Sequence, residues 1–353
     1  MEFRGVWAAR DSLRSRELVR QMMEQLAAAH FNAVFVNVWS RGYPLWPSEV
    51  FARETGRSVD PLFAGRDVIA EALEEARPFG IAVFPWLEYG FVGGWAGYYP
   101  GEGGRGPIFD HRPEWLARTR SGEDRFPNDF FWMAHAHPGV QQFLIGLTVE
   151  IVQRYDVPGV QFDRARYPQL DCGYDQVTIE LYRSEHGGGA PPANPAEPGW
   201  VAWRSAKLDA FLDALYRAVK ATDWRALVAN APIVSPFGYV NFAQNYPAWL
   251  RARSVDFLSP QVYRATTASF VAELDRQLGQ VADPARVVPG IDVTNSRDVG
   301  VLSEMVAAVR ARRLPGFTIW YYGALQQLGV WDALREGALR APARLPFRWP
   351  QPR

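Results

Sequence analysis

Apolar and polar positions alternate between two periods along this chain. Phe3 to Ala8 is a short apolar run suited to a buried strand, and Arg16 to Ala29 follows with leucine, valine and methionine at helical spacing behind Ser12 and Ser15, two candidate caps. The pair then repeats. Asn32 to Trp39 predicts a second strand, Asp67 to Arg77 a second helix stopped by Pro78 and Gly80, and Ile81 to Leu87 a third strand. The pattern breaks through Gly93, Gly94, Gly97, Gly101, Gly103 and Gly104 and resumes with a helix over Pro138 to Tyr155. Val160 to Asp163 predicts strand four, and a helical stretch from Val177 to His186 runs into a Gly/Pro-rich break from Gly187 to Gly199. Beyond it the alternation continues with helix Val201–Ala221, strand Ala226–Ala231, helix Tyr246–Arg253, strand Val255–Tyr263 and helix Ser269–Val281. Strand Val287–Val293, helix Val301–Arg313, strand Phe317–Tyr322 and a short helix near Val330–Leu339 complete it.

Eight strands, each followed by a helix, is the count of a parallel (β/α)8 barrel of the TIM type, with long loops after strands three and four. The competing architecture is a doubly wound open sheet, but no Gly-x-Gly-x-x-Gly turn follows strand one. Because the alternation resumes after Gly199, the break reads as an insertion, which predicts one barrel domain over residues 1–340 and an extended Pro- and Arg-rich tail over 341–353.

Composition narrows the partner. Thirty-eight basic and 38 acidic side chains cancel to +0, which removes any general electrostatic case for nucleic acid or an anionic membrane. The single cysteine, Cys172, excludes an internal disulfide and a thiolate metal cluster. No stretch approaches the roughly 18 apolar residues of a membrane span, and the N-terminus enters a strand without a basic-then-apolar leader, so a soluble chain of undetermined compartment is expected. Aromatic residues make up 14% and gather at strand ends, where they suit the apolar faces of sugar rings in an oligo- or polysaccharide; the plainer reading is core filler.

In such a barrel the C-terminal ends of the strands share one face, which carries the site. That face would collect Trp7 and Arg10 from strand one; Asn37, Trp39 and Arg41 from strand two; and Trp86, Glu88 and Tyr89 from strand three. Strand four adds Asp163, Arg164, Arg166 and Tyr167, strand five Asn230, and strand six Gln261 and Tyr263. Asp292 and Asn295 come from strand seven, and Trp320, Tyr321 and Tyr322 from strand eight. Asp256, at the start of strand six, falls on the opposite rim and reads as structural.

Glu88 and Asp163 end neighbouring strands, which places their carboxyl groups roughly 5 to 9 Å apart, the range of glycosidic cleavage by paired carboxylates. One carboxyl would protonate the leaving oxygen, and the other would attack, activate water or stabilise positive charge; either could hold either role. Asp292 is a third candidate. For all three, an ion pair with Arg41, Arg164 or Arg166 is the competing account. Trp39, Trp86, Tyr263, Trp320 and Tyr322 are candidate stacking residues, and Asn37, Arg41, Arg166 and Gln261 would hold hydroxyl or acidic groups. His135 and His137 form a His-x-His pair, but one that precedes a helix after strand three, so His137 reads as a substrate contact or helix cap and no metal or cofactor is expected. Neither a nucleophile elbow nor a phosphate loop is present, and the glycine-rich stretch from Gly93 to Gly106 reads as a rim element over a cleft.

Several of these segments together resemble the glycosyl-hydrolase-like family 10 barrels. They are Phe3-Arg-Gly-Val-Trp7, Phe31-Asn-Ala-Val-Phe35, Tyr43-Pro-Leu-Trp-Pro-Ser48, Pro85-Trp-Leu-Glu-Tyr-Gly90, Gly159-Val-Gln-Phe-Asp163 with Arg166-Tyr-Pro168, Trp203-Arg-Ser-Ala-Lys207, Pro260-Gln-Val-Tyr263 and Gly316-Phe-Thr-Ile-Trp320. The resemblance implies a (β/α)8 barrel that hydrolyses O-glycosidic bonds in a polysaccharide, bacterial cell-wall glycan included. It also implies a site role for Asp163. Many relatives carry two successive aspartates at the end of strand four, and here the second position is Arg164. The competing expectations are a glycan-binding barrel that has lost its chemistry, for which Arg164 would be the mark, and a metal-dependent hydrolase or deacetylase.

Overall fold

Strands that are apolar on both faces must be covered on both faces, and this chain meets the requirement by closing its sheet on itself. A computed structural model describes residues 1–98, 104–296 and 298–347. The barrel strands are β1 (Phe3–Ala8), β2 (Ala33–Asn37), β3 (Ala82–Leu87), β4 (Gly159–Phe162), β5 (Leu227–Asn230), β6 (Phe257–Leu258), β7 (Gly290–Asp292) and β8 (Gly316–Trp320). All pair in parallel, in the order β6-β5-β4-β3-β2-β1-β8-β7. Parallel bridges from Leu258 to Val287 and from Gln261 to Gly290 join the two ends into a ring. The predicted (β/α)8 barrel is therefore the fold.

Around it lie α1 (Arg16–Ala28), α2 (Val68–Ala76), α3 (Pro138–Arg154), α4 (Pro198–Thr222), α5 (Tyr246–Ala252), α6 (Thr267–Leu278), α7 (Val299–Ala311) and α8 (Tyr322–Leu328). Ser15, Asp67 and Thr266 each accept a backbone N–H in the first turn of α1, α2 and α6, which fixes where those helices begin. Among the described residues no helix is long and apolar enough to cross a membrane.

Alternation along the strands divides two cores. Outward residues such as Val6, Val34, Val36, Val160 and Ile319 pack under the helices, while inward residues fill the barrel. Phe3, Phe35, Phe84 and Phe257 form a lower layer with centroids 5.1 to 6.4 Å apart. Trp7, Trp86 and Trp320 form an upper layer at 6.0 to 6.2 Å. Glycines make the space: a Cβ on Gly290 would lie 3.0 Å from the Trp7 ring.

Three parts depart from the sequence reading. The glycine-rich stretch after β3 contains an antiparallel sheet of Val92–Trp95, Phe130–Trp132 and Arg125–Phe126, paired where short apolar runs flank turns; residues 99–103 of that stretch lie outside the described residues. The predicted strand Val255–Tyr263 is reduced to Phe257–Leu258, because Pro260 has no N–H to donate to a ladder. The residues predicted to end strand eight open α8 at Tyr322. Of the tail, 341–347 are described: Glu2 N–H donates to the Arg344 carbonyl at 2.9 Å, Asn32 Nδ2 to Ala343 at 2.9 Å, and the Phe347 ring stacks 5.1 Å from Phe257 and 5.9 Å from Phe3. That segment runs across the N-terminal mouth of the barrel; residues 348–353 lie outside the described residues.

Candidate active site

Register builds the site. Asn37 pairs with Trp86 and Trp86 with Gln161, all three facing inward, so two residues further along each chain the inward positions are Glu88 and Asp163. Both are buried, at 7% and 6% exposure, directly above the tryptophan layer. Trp7 Nε1 donates to Gln161 Oε1 at 2.7 Å, which locks the floor.

Each carboxyl has its own set of donors. Asn37 Nδ2 donates to Glu88 Oε2, and Arg164 Nη2 lies 3.8 Å from Glu88 Oε1. Asp163 Oδ1 accepts the Arg164 backbone N–H at 2.5 Å, and Oδ2 accepts Trp86 Nε1 at 3.3 Å. Burial pushes Glu88 up to about 7, partly offset by Arg164 and reinforced by the Asp163 charge. Burial also raises Asp163, to about 6, and there Arg164 opposes the rise by its charge and by its N–H. The Tyr263 phenol is driven far up by burial and by the fields of Asp163, Asp292 and Glu88.

Arg164 sits between the pair. Its backbone is left-handed, φ 46°, and its guanidinium lies 4.6 Å from the Tyr89 ring and 5.6 Å from Phe130. Arg41, whose charge lowers Glu88, lies 4.2 Å over Trp95. Arg166 rests between Trp132 at 5.7 Å and Phe242 at 5.0 Å. Trp320 packs 6.0 Å from Tyr263 across the mouth, and its peptide bond to Tyr321 is cis. Asn230 Nδ2 donates to the Phe162 carbonyl and Gln261 Nε2 to Ala231 at 2.9 Å, so both brace the strand ends.

Other predicted residues have their polar atoms or rings engaged in the scaffold. Asp292 accepts Thr294 N–H at 2.7 Å, Thr294 Oγ1 at 2.6 Å and Asn295 Nδ2 at 2.5 Å, so its oxygens serve the turn that follows β7. Trp39 leaves strand two in a tight hairpin, donates to the Gly90 carbonyl at 3.0 Å and packs on Phe51 and Phe143 behind the site. Tyr322 turns outward with α8 and donates to Gln25 at 2.7 Å. Tyr167 stacks 4.0 Å from His135, in the packing beneath the loop. His137 Nδ1 accepts Gly139 N–H at 3.0 Å and caps α3, while His135 Nε2 bonds the Arg166 carbonyl at 2.9 Å; the two rings serve different structures. Among the described residues no three His, Cys, Asp or Glu side chains gather as a metal would need. Asp256 accepts Val228 N–H at 2.7 Å and pairs with Lys220 at 2.8 Å, a structural use. Trp95, Phe130, Trp132 and Phe242 were not anticipated, since they come from loops whose sequence carries no strand period.

The sequence model of the family described as glycosyl hydrolase-like 10 matches residues 2–291. The chain belongs to that family. A curated relative, the glycosyl hydrolase DigH of Escherichia coli K12, is 25% identical over 266 residues, 68% of this chain and 56% of DigH; the chain thus spans just over half the length of the curated relatives it matches. Among solved structures, the glycoside hydrolase domain of PgaB (BpsB) from Bordetella bronchiseptica superposes with a TM-score of 0.68 at 15% identity, covering 95% of this chain and 98% of that domain. The catalytic domain of a β-amylase from Paenibacillus polymyxa gives 0.64 at 10% identity, covering 92% and 93%. At such identities the likeness is one of fold, and the fold of this glycosyl hydrolase-like 10 member is that of glycoside hydrolase barrels.

Proposed function

We propose that this protein is a glycoside hydrolase that cleaves O-glycosidic bonds in a polysaccharide, cell-wall glycan among the candidates, through a barrel spanning residues 1–340. The observation that carries the reading is the pair of buried carboxyls on adjacent strand ends, Glu88 raised to about 7 and Asp163 to about 6. The names of the relatives point the same way. A carboxyl that keeps its proton near neutrality beside one that has lost it is the division of labour that glycosidic cleavage uses. Glu88 donates its proton to the leaving oxygen as the bond from the anomeric carbon breaks. Asp163 faces the positive charge that develops at that carbon, as nucleophile or as base for the incoming water. Trp320 and Tyr263 offer rings for stacking, and Arg41, Arg164 and Arg166 offer donors.

Asp163→Asn is expected to reduce reducing-end release from de-peptidated cell-wall glycan or another cleaved polymer at least a hundredfold, on the order of what loss of an acid/base group costs, while glycan binding and thermal stability persist. A fully active variant overturns the assignment. A second reading has its own observation: Arg164, at the position where the family resemblance implies an aspartate, puts a cation 3.8 Å from Glu88. A glycan-binding barrel without chemistry would bind the polymer and release no new ends.

A further inference from the structure

Three arginines surround the two carboxyls, and they differ in what they touch. Arg164 is committed to Glu88 and to the Tyr89 ring. Arg41 lies over Trp95. Arg166, half-buried, forms no hydrogen bond or ion pair with its side chain among the described residues; only the rings of Trp132 and Phe242 flank it. Its backbone, by contrast, is held hard. The Arg166 carbonyl bonds His135 Nε2 at 2.9 Å, the Ala165 carbonyl accepts Gln244 Nε2 at 3.1 Å, and Tyr167 N–H donates to the Phe242 carbonyl at 3.0 Å. A guanidinium whose donors no protein group accepts leaves them to water or to a ligand. Burial and the neighbouring Arg164 charge both work against its protonated form, pulling it down to about 9. Asp163 is close enough to favour the charge but makes no contact with it. Around the mouth, three cations thus face one carboxylate that is ionised at neutral pH, one that is partly protonated, and Asp292, whose oxygens are already occupied.

We infer that Arg166, boxed between Trp132 and Phe242, is the specificity-determining receptor for an acidic substituent on the glycan, a carboxylate or a sulfate, so that the natural substrate is an anionic polysaccharide. The fork of a guanidinium matches the paired oxygens of such a group, and the flanking rings hold it in plane. Arg164 deepens the preference by adding a second positive charge beside it. This rests on the glycan-hydrolase reading for the nature of the ligand, and the test separates the two.

Two matched pairs of polymers serve as probes: peptide-free muramic-acid glycan strands with their carboxyl-reduced form, and dextran sulfate with neutral dextran. Binding to Asp163→Asn protein is expected to favour the acidic member of one pair by about ten- to a hundredfold, the range for hydrogen bonds to a charged group, and the favoured pair identifies carboxylate or sulfate. Arg166→Met is expected to abolish that ratio, and Arg166→Lys, which keeps charge but not the fork, to retain part of it, with melting temperatures checking that each variant folds. Equal binding within both pairs, absence of binding to either acidic polymer, or a ratio that survives Arg166→Met overturns the inference. Reducing-end release is scored separately with unmutated protein. A ratio without new ends leaves the Arg166 assignment standing and counts against the hydrolase, whereas cleavage of acidic and neutral polymers alike does the reverse.

Discussion

Glu88 and Asp163 have similar burial but different neighbours, and the proposed division of roles rests on that difference. The proposed mechanism has Asp163 ionised and Glu88 protonated, so kcat/KM is expected to rise as pH passes about 6, fall as it passes about 7, and form a narrow bell between them. A rate profile from pH 4 to 9 checks it. The same shift has a cost in stability. The folded-state value of Glu88 lies above its ordinary value of 4.5, so the folded protein holds the proton more tightly, and stability is lost as pH rises from about 4.5 to about 7. Glu88→Gln removes a charge that burial penalises and is expected to stabilise the protein at pH 8 by on the order of 1–3 kcal/mol, with no gain at pH 4. Denaturant midpoints at the two pH values measure it. At this scale the two carboxyls were legible because the inward phase of strands three and four runs one step past the last ladder bond. Trp39 and Tyr322 share that phase on paper, yet their backbones leave the strand first, one into a hairpin and one into a helix, and no periodicity reports such a turn.

The loops after β3 and β4 hold the carboxyls through a contact of backbone on backbone. Gly90, at φ 45°, lies so close to the neighbouring loop that a Cβ would stand 2.1 Å from the Asp163 carbonyl oxygen. Gly90→Ala therefore meets both a left-handed conformation and a collision, and is expected to lower stability by about 1–3 kcal/mol and kcat by roughly ten- to a hundredfold as Asp163 is displaced. Melting temperature and steady-state kinetics on the one variant test both effects. Helices were the most legible elements: α1, α3 and α5 end within one residue of the positions their apolar stripes and caps predict. The antiparallel sheet Val92–Trp95, Phe130–Trp132 and Arg125–Phe126 was not, since Val92–Trp95 finds its partner more than thirty residues away and the other two strands are very short runs. That sheet brings in Trp95, Phe130 and Trp132, the rings under the arginines, so the aromatic half of the site was hidden with it.

At the scale of the molecule the barrel was readable because its strand count needs no long-range information. Ring closure was not, for it rests on bridges at Leu258 and Gln261 beyond the short ladder of β6. Beneath the ring, Glu2 is tied to Arg344 by backbone and to Arg310 by paired side-chain bonds at 2.6 and 2.8 Å, so the first strand and the last described segment meet at the pole opposite the carboxyls. Topologically the two ends are already neighbours. A permuted chain, joined from beyond Phe347 to Met1 by a flexible linker and reopened in the exposed Gly187–Gly189 turn, keeps every barrel ladder and every residue of the mouth. It is expected to fold to the same circular-dichroism spectrum and to match the original chain order in the proposed glycan binding and turnover, with new termini on the flank of the molecule.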